Sequence, residues 1–221
     1  MCALTSNQPL GIFRECSNPE CRFRYADMRL EKEIDFCPKC GEVTYIRNRA
    51  FSQHYVQHKG RNQSHSKVAV LLDNIRSVYN VGSIFRTCEG LGVKEIFLAG
   101  ITPTPNHPRL SKTGLGAENL VNWRYENNAV DMVHLLHQEN YLIIGLECMP
   151  DAENLRDLQI KDLNQPLCLV VGNERLGIDP DVLNLCNHMV CIPMQGTKQS
   201  FNVSVAFAIA AYHLLEILQF H

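Results

Sequence analysis

The chain has 221 residues, of which 45% are hydrophobic and 20% are charged, so it has the composition of a globular protein with a sizeable core. The formal net charge of −2 excludes a strongly basic or strongly acidic protein. No run of about 18 apolar residues is present, so we expect no membrane span. The first residues lack the basic and apolar segments of a signal peptide, and we therefore predict a cytoplasmic protein.

Charge is unevenly distributed along the chain. Residues 1–67 carry 11 Lys+Arg and 7 Asp+Glu, whereas residues 68–221 carry 10 and 16. A basic N-terminal third attached to an acidic body is typical of a protein that docks a polyanion at the basic end. A solvated basic surface without a partner explains the charge equally well, so charge alone leaves both readings open.

Two close pairs of cysteines lie near the N-terminus. Four residues separate Cys16 from Cys21, two separate Cys37 from Cys40, and fifteen lie between the pairs. This spacing is typical of a four-thiolate zinc site, in which each pair forms a turn that directs two sulfurs to one metal. The first pair departs from the usual gap of two residues. The alternatives are four free thiols or two disulfides, and a reducing cytosol disfavours the latter.

We therefore predict a small zinc ribbon over residues 1–47, in which the metal supplies folding energy that so short a segment lacks. Residues 48–66 follow as a predicted basic linker. Basic and aromatic side chains alternate around this linker and suit nucleic-acid phosphates and bases, although a merely solvated linker is an equal alternative. These side chains belong to Arg47, Arg49, Phe51, Tyr55, Lys59 and Arg61.

From residue 67 onward, short apolar segments alternate with segments of helical period. The predicted strands cover residues 68–72, 94–100, 119–125, 141–146, 166–172 and 188–192. The predicted helices cover residues 78–91, 131–139, 180–186 and 202–218. This alternation predicts an α/β domain over residues 67–221, with a parallel sheet and helices on both faces.

The domain lacks the common nucleotide-binding sequences. Neither G-x-G-x-x-G nor G-x-x-x-x-G-K-[ST] is present, which argues against a standard dinucleotide fold and a P-loop. Instead, polar loops adjoin three strands, over residues 74–86, 172–177 and 194–202. Because open α/β sheets bind ligands beyond the carboxyl ends of their strands, we expect a site built from these loops.

The three loops carry recognisable sequences. In chain order they are Asn80-Val-Gly-Ser-Ile-Phe-Arg86, Gly172-Asn-Glu174-Arg-Leu-Gly177, and Ile192-Pro-Met194 followed by Ser200-Phe-Asn202. They resemble the three motifs of the SpoU branch of the SPOUT RNA methyltransferases, and the resemblance covers about residues 67–221. It implies a trefoil knot in the C-terminal part of the sheet and a homodimer. It also implies S-adenosylmethionine as methyl donor and ribose 2′-O-methylation of tRNA or rRNA.

The resemblance also implies which residues bind the donor. Glycine turns allow the backbone to approach an adenosine closely, and apolar side chains would line the rest of its site. The implied donor-binding residues are Gly172, Ile192, Phe201, Met194 and Val170. Phe201 stands where the family more often has leucine, and the position remains apolar.

Arg86 is the implied catalytic residue. A guanidinium is a poor base because its pKa exceeds about 12, so its natural role is to clamp a phosphate or polarise the 2′-hydroxyl. A surface ion pair is the structural alternative. The implied catalytic set also includes Asn80, Glu174, Ser200 and Asn202. Each of these has a structural explanation too: an ion pair for Glu174 and helix capping for the other three.

Three interpretations of function follow. The first is an RNA 2′-O-methyltransferase whose zinc ribbon helps to hold RNA. The second is a non-catalytic RNA-binding protein that retains the methyltransferase fold. In the third, the ribbon binds a protein partner instead of RNA.

Overall fold

The computed structural model describes residues 11–30, 34–49, 67–93 and 95–220. The chain forms two compact units, with the boundary between Asn62 and Gln63. Within the described residues, no helix is both long and apolar enough to cross a membrane. Most of the predicted basic linker lies outside the described residues.

The N-terminal unit is built on four antiparallel strands. They are β1 (Ile12–Cys16), β2 (Arg24–Asp27), β3 (Asp35–Phe36) and β4 (Val43–Arg49), in the sheet order β2-β1-β4-β3. A ribbon of this kind was predicted, but β4 extends two residues past its predicted end. Asn48 and Arg49 pair with Phe13 and Ile12 of β1, so these two residues belong to the sheet and not to a linker.

The second unit is built on seven parallel strands, which confirms the predicted α/β fold. They are β5 (Val68–Asp73), β6 (Glu95–Ala99), β7 (Asn122–Glu126), β8 (Leu142–Leu146), β9 (Glu153–Asn154), β10 (Leu167–Val171) and β11 (His188–Cys191). The sheet order is β7-β6-β5-β10-β8-β11-β9, and every adjacent pair is parallel. The trefoil knot stays a prediction.

Five helices accompany this sheet. They are α1 (Val78–Leu91), α2 (Ser111–Gly114), α3 (Ala129–Gln138), α4 (Pro180–Leu183) and α5 (Val203–Phe220). Strand β5 is buried throughout, and its alternate side chains enter two separate hydrophobic cores. Residues of α1 and α5 fill one core, and residues of α3 and α4 fill the other. The sheet is therefore covered by helices on both faces, as predicted.

Helix α1 spans the predicted residues because both of its ends carry strong local signals. The Ser77 side chain accepts the N–H of Asn80 at the start, and Gly92 adopts a left-handed conformation, with φ of 69°, at the end. The sequence did not predict α2, which lies inside a segment expected to be a loop, or the two-residue edge strand β9.

Helix α1 and the α2 segment approach each other closely at Gly82. A β-carbon at this position would overlap the Thr113 side chain and the backbone of Leu110 and Gly114. Gly90, on the same helix, faces open space. Alanine substitutions at these two positions therefore distinguish the effect of close packing at residue 82 from the higher intrinsic helix preference of alanine.

We expect Gly82→Ala to lower the free energy of unfolding by about 1–3 kcal/mol, because the added methyl group displaces α2. Gly90→Ala is the matched control and should be neutral or stabilise by up to about 1 kcal/mol. Urea denaturation followed by the fluorescence of Trp123, the single tryptophan, measures both in the C-terminal unit. Equal effects of the two substitutions would contradict the close packing at Gly82.

Candidate active site

A cavity of about 420 Å³ lies at the carboxyl ends of β8, β10 and β11. Strand β8 lies between the other two in the sheet, so the three strand ends adjoin. This is where open α/β sheets bind ligands, and the volume is within the range of small-molecule sites. The cavity is lined by Leu146, Glu147, Cys148, Val171, Gly172, Asn173, Glu174, Arg175, Gly177, Cys191, Ile192, Met194, Ser200, Phe201, Asn202, Val203 and Ala206.

Four of the five predicted donor-binding residues line the cavity: Gly172, Ile192, Met194 and Phe201. Val170 does not. It is fully buried in the hydrophobic core on the sheet face covered by α3 and α4. Because successive side chains of a strand point to opposite faces, its neighbour Val171 lines the cavity instead.

Two glycines shape the loop that follows β10. A β-carbon on Gly172 would overlap the backbone of Gly177 and Ile178, and Gly177 itself has a φ of 75°. Asn173 and Gly177 exchange two backbone hydrogen bonds of 2.9 Å, which close the loop on itself. The Glu147 carboxylate accepts the N–H of Ile178 at 3.0 Å and occupies the space that a side chain at position 177 would need. The loop backbone is thereby fixed at the edge of the cavity.

Side-chain hydrogen bonds connect the three sequence motifs. The amide of Asn202 donates to the Asn80 side-chain oxygen at 3.1 Å, and the amide of Asn80 donates to Glu174 Oε1 at 2.9 Å. These residues are 122 and 94 positions apart in the chain. Folding therefore joins one residue from each motif into a single chain of hydrogen bonds.

Glu174 also holds the segment that begins α1. Its carboxylate accepts the backbone N–H groups of Arg76 at 2.9 Å and Ser77 at 3.0 Å. Burial acts to raise the pKa of Glu174. The hydrogen bonds from Arg76, Asn80 and Ser77 act in the opposite direction and hold the pKa below its ordinary value. All of these partners are amide N–H groups. The ion pair that was the structural alternative for Glu174 is therefore not observed among the described residues.

Asn202 and Ser200 differ in what they bind. The Asn202 side-chain oxygen accepts the backbone N–H of Ser204 at 2.9 Å and the Ser204 hydroxyl at 2.7 Å, so Asn202 caps α5. Ser200 lies outside the helix, is exposed, and makes no hydrogen bond to any other described residue. The capping role considered for Ser200 is therefore wrong, and Ser200 instead lines the cavity.

Arg86 is exposed on α1, and its side chain makes no hydrogen bond or ion pair with any other described residue. The surface ion pair considered as its structural alternative is thus absent from this part of the chain. Arg86 is not among the residues that line the cavity. It lies about 9 Å farther along the axis of α1 than Asn80, since a helix rises about 1.5 Å per residue.

Sequence reasoning missed the contribution of β8 to the cavity. Glu147 and Cys148 directly follow this strand and line the cavity. The sequence contains the signal, an apolar strand followed by a carboxylate. The position of β8 between β10 and β11 is a property of the sheet order, which the sequence does not state.

In the N-terminal unit, the four predicted zinc ligands lie together. The sulfur atoms of Cys16, Cys21, Cys37 and Cys40 all lie within 4.8 Å of one another, and all four cysteines are free thiols. The Cys16–Cys40 and Cys21–Cys37 sulfur distances are 3.4 and 3.9 Å. Tetrahedral zinc with Zn–S bonds of about 2.3 Å separates its sulfurs by about 3.8 Å, so the donor set fits this metal.

The two cysteine turns share one conformation at the residue that follows the second cysteine. Gly41 has a φ of 80° and Arg22 has a φ of 45°, so both adopt the left-handed region. In the second turn, the backbone N–H of Lys39 points to the Cys37 sulfur at 3.4 Å. The longer first turn thus ends in the same way as the shorter second one.

Two cysteines outside this cluster are fully buried. Burial raises the pKa of the Cys88 and Cys168 thiols well above the ordinary value. A thiol that stays protonated is a poor nucleophile, so neither Cys88 nor Cys168 is a candidate catalytic nucleophile.

Glu174→Gln should alter how stability depends on pH. Because the pKa of Glu174 is lower in the folded state than its ordinary 4.5, its ionised form stabilises the fold above pH 4.5. That stabilisation disappears as the pH falls through the folded-state pKa. We therefore expect the variant to be less stable than the wild type at pH 7 and the two stabilities to converge as the pH falls below 4.5.

Urea denaturation at a series of pH values, followed by Trp123 fluorescence, measures this dependence. The matched control is Glu89→Gln, which removes an exposed carboxylate elsewhere on α1 and should parallel the wild type. A constant stability difference between wild type and Glu174→Gln at all pH values would refute the assigned role.

The fold and the motifs agree with known proteins. The family model described as SpoU rRNA Methylase matches residues 67–212. The tRNA (guanosine(18)-2'-O)-methyltransferase of Thermus thermophilus is 29% identical over 145 residues, which cover 66% of this chain and 72% of that protein. The A. aeolicus TrmH/SpoU tRNA modifying enzyme has a similar structure, with a TM-score of 0.61 and 26% identity over 69% of this chain and 75% of that one.

A further solved structure adds a likeness of fold. It is the SpoU methyltransferase AviRb from Streptomyces viridochromogenes in complex with the cofactor AdoMet, with a TM-score of 0.60 and 23% identity over 80% of this chain and 69% of that one. The motif residues gathered at one cavity, the parallel sheet and the matched family model lead to one conclusion. This chain belongs to the SpoU rRNA methylase family.

Proposed function

We propose that this protein transfers a methyl group from S-adenosylmethionine to the ribose 2′-hydroxyl of a nucleotide in tRNA or rRNA. The observation that carries the proposal is the hydrogen-bonded chain from Asn202 through Asn80 to Glu174, which unites the three motifs beside one cavity. The names of the relatives support the same chemistry, since the Thermus thermophilus protein is a tRNA 2'-O-methyltransferase.

The cavity has the features that an adenosine-containing donor requires. Val171, Ile192, Met194 and Phe201 provide apolar contacts suited to an adenine ring. Gly172 and Gly177 line the cavity without side chains, so the loop after β10 offers main-chain atoms to polar groups of the ligand. When bound, S-adenosylmethionine supplies an electrophilic methyl group, and the protein has to hold the 2′-hydroxyl in line with it.

The polar residues divide into substrate-contacting and positioning groups. Ser200 lines the cavity, and its hydroxyl makes no hydrogen bond to another described residue, so we assign it to hydrogen-bonding a ribose. A guanidinium offers several N–H donors in a fixed plane, so we assign Arg86 to holding an RNA phosphate or polarising the 2′-hydroxyl. Glu174 accepts three N–H groups and acts through Asn80, which it holds in place. It is a positioning residue.

We also propose a homodimer. Val205, Ile209 and Tyr212 are exposed apolar side chains spaced four and three residues apart on α5, so they share one face of the helix. Arg86 does not line the cavity of its own chain. A second copy placed against this face of α5 would bury these side chains, and it would allow the arginine of one copy to serve the cavity of the other.

Arg86→Ala should lower methyl transfer to unfractionated tRNA or rRNA by about 100-fold or more, because a charged group at the reacting centre is removed. Donor affinity, measured by isothermal titration calorimetry with S-adenosylmethionine, should stay within about twofold, since Arg86 is assigned to the RNA and not to the donor. The matched control is Arg156→Ala, which removes another exposed arginine and should retain full activity.

Full activity in Arg86→Ala would remove Arg86 from the catalytic set. A wild-type protein that binds RNA but neither binds the donor nor transfers methyl groups would instead support the non-catalytic interpretation.

We further propose that the four-cysteine cluster binds structural zinc. Cys40→Ser should lower the zinc content of the purified protein below the wild-type value of about one ion per chain, because three thiolates hold the metal less tightly than four. Elemental analysis measures this content. The control is Cys148→Ser, which changes an exposed cysteine outside the cluster and should leave the zinc content unchanged. A wild-type protein purified without zinc would contradict the proposal.

A further inference from the structure

One face of the N-terminal sheet carries three arginines around a single carboxylate. Glu15 pairs with Arg24 across β1 and β2 and with Tyr45 across β1 and β4, so these side chains share a face. Arg47 donates to the Glu15 carboxylate at 3.0 Å, and the Arg22 guanidinium lies 3.9 Å from it. We call the five residues Glu15, Arg22, Arg24, Tyr45 and Arg47 the arginine face.

The geometry of this face leaves the arginines available to a ligand. The side chain of Glu15 is only 10% exposed, whereas those of Arg22 and Arg47 are 75% and 47% exposed. One carboxylate cannot neutralise three guanidinium groups, so the arginine face keeps a net charge of about +2 at neutral pH.

An aromatic ring accompanies these charges. The guanidinium carbon of Arg47 lies 4.5 Å from the centre of the Tyr45 ring, and Arg47 donates a hydrogen bond of 3.1 Å to the Tyr45 hydroxyl. Both side chains remain partly exposed. A guanidinium over an aromatic ring offers a surface for a nucleotide base, while the adjoining arginines suit phosphates.

The opposite face of the same sheet is organised differently. Arg14 is fully buried and paired with Asp27 at 3.0 Å, and Arg29 is paired with both Asp27 and Asp35. Arg14 and Arg29 therefore have carboxylate partners, whereas Arg49, which also lies on that side, is paired with no carboxylate of the described sheet. These five residues carry a net charge of about +1, against about +2 for the arginine face, so the arginine face is the side of the described sheet that attracts a polyanion more strongly.

We infer that the arginine face is an RNA-docking surface, which contacts phosphates through Arg22, Arg24 and Arg47 and stacks a base near Tyr45. This inference rests on the proposed function for its choice of RNA as the polyanion. It gives the N-terminal unit a role in holding RNA, the substrate of the methyl transfer that we propose for the C-terminal unit. Before RNA binds, the Glu15 carboxylate holds the arginine side chains in place. An RNA phosphate would then compete with this carboxylate for the arginines.

The test is the salt dependence of RNA binding by the full chain, measured by fluorescence anisotropy with labelled unfractionated tRNA. The double variant Arg24→Gln/Arg47→Gln should bind about tenfold more weakly at about 100 mM NaCl. The slope of log K against log salt concentration should become shallower by about 1 to 2, because each lost phosphate contact removes about 0.7–0.9 from it.

The matched control is Arg49→Gln, which changes an arginine on the same strand. Arg49 pairs with Ile12, so it lies on the opposite face, and its removal should leave the slope within about 0.3 of the wild type. Tyr45→Leu should weaken binding by about tenfold with an unchanged slope, because stacking does not release counterions. Circular dichroism spectra that match the wild type show that the variants are folded.

Three outcomes separate the two proposals. Wild-type affinity and slope in the folded double variant overturn the arginine face, even if the protein methylates RNA normally. Equal losses in the double variant and in Arg49→Gln also overturn it, since they reflect total charge alone. A protein without donor binding or methyl transfer refutes the proposed function, whereas a shallower slope in the double variant alone would still establish the docking surface.

Discussion

The position of Glu174 is the constraint on which the candidate site depends. Its carboxylate follows β10 in the chain, yet it binds the N–H groups of Arg76 and Ser77 and the Asn80 side chain at the start of α1. Helix N-termini have unsatisfied N–H groups and a positive potential, so an anion there is favourable. The residue thus fixes α1 against the loop after β10. Asn202 extends the connection to α5 through its bond to Asn80.

Close backbone approaches make this arrangement possible. Gly172 lets the loop after β10 fold back on Gly177 and Ile178, which places Glu174 within reach of α1. Gly82 lets α1, which carries Asn80, approach the α2 segment closely. A side chain at either glycine would therefore displace an element that carries part of the hydrogen-bonded chain. The hydrogen-bonded chain therefore depends on two positions at which the protein has room only for backbone.

Local signals allowed much of the fold to be predicted from the sequence. Helix α1 was predicted over its full length because Ser77 and Gly92 mark its ends and its apolar residues recur at helical spacing. The strands of the parallel sheet except β9 were predicted from short apolar segments, with errors of a few residues at their ends. The family resemblance then placed Asn80, Glu174 and Asn202 in one site, although they are far apart in the chain.

What could not be predicted depends on how strands and faces are arranged in space. Val170 and Val171 are equally apolar, and only the register of β10 in the sheet decides which one meets the cavity. Glu147 lines the cavity because β8 lies between β10 and β11, an order that no local pattern encodes. Ser200 and Asn202 are equally good capping residues by type. The start of α5 at Val203 decides between them.

The two units use a carboxylate in contrasting ways. Glu174 accepts backbone N–H groups, which cannot move without unwinding the start of α1, so its bonds persist when a ligand enters the cavity. Glu15 accepts from Arg47 and attracts Arg22 and Arg24, whose flexible, exposed side chains can exchange one anion for another. A carboxylate bound to main chain makes a rigid site suited to positioning a reacting group. A carboxylate bound to arginines makes an adaptable surface that suits a long and variable polyanion. Precise positioning of the reacting nucleotide then depends on the cavity and not on the arginine face.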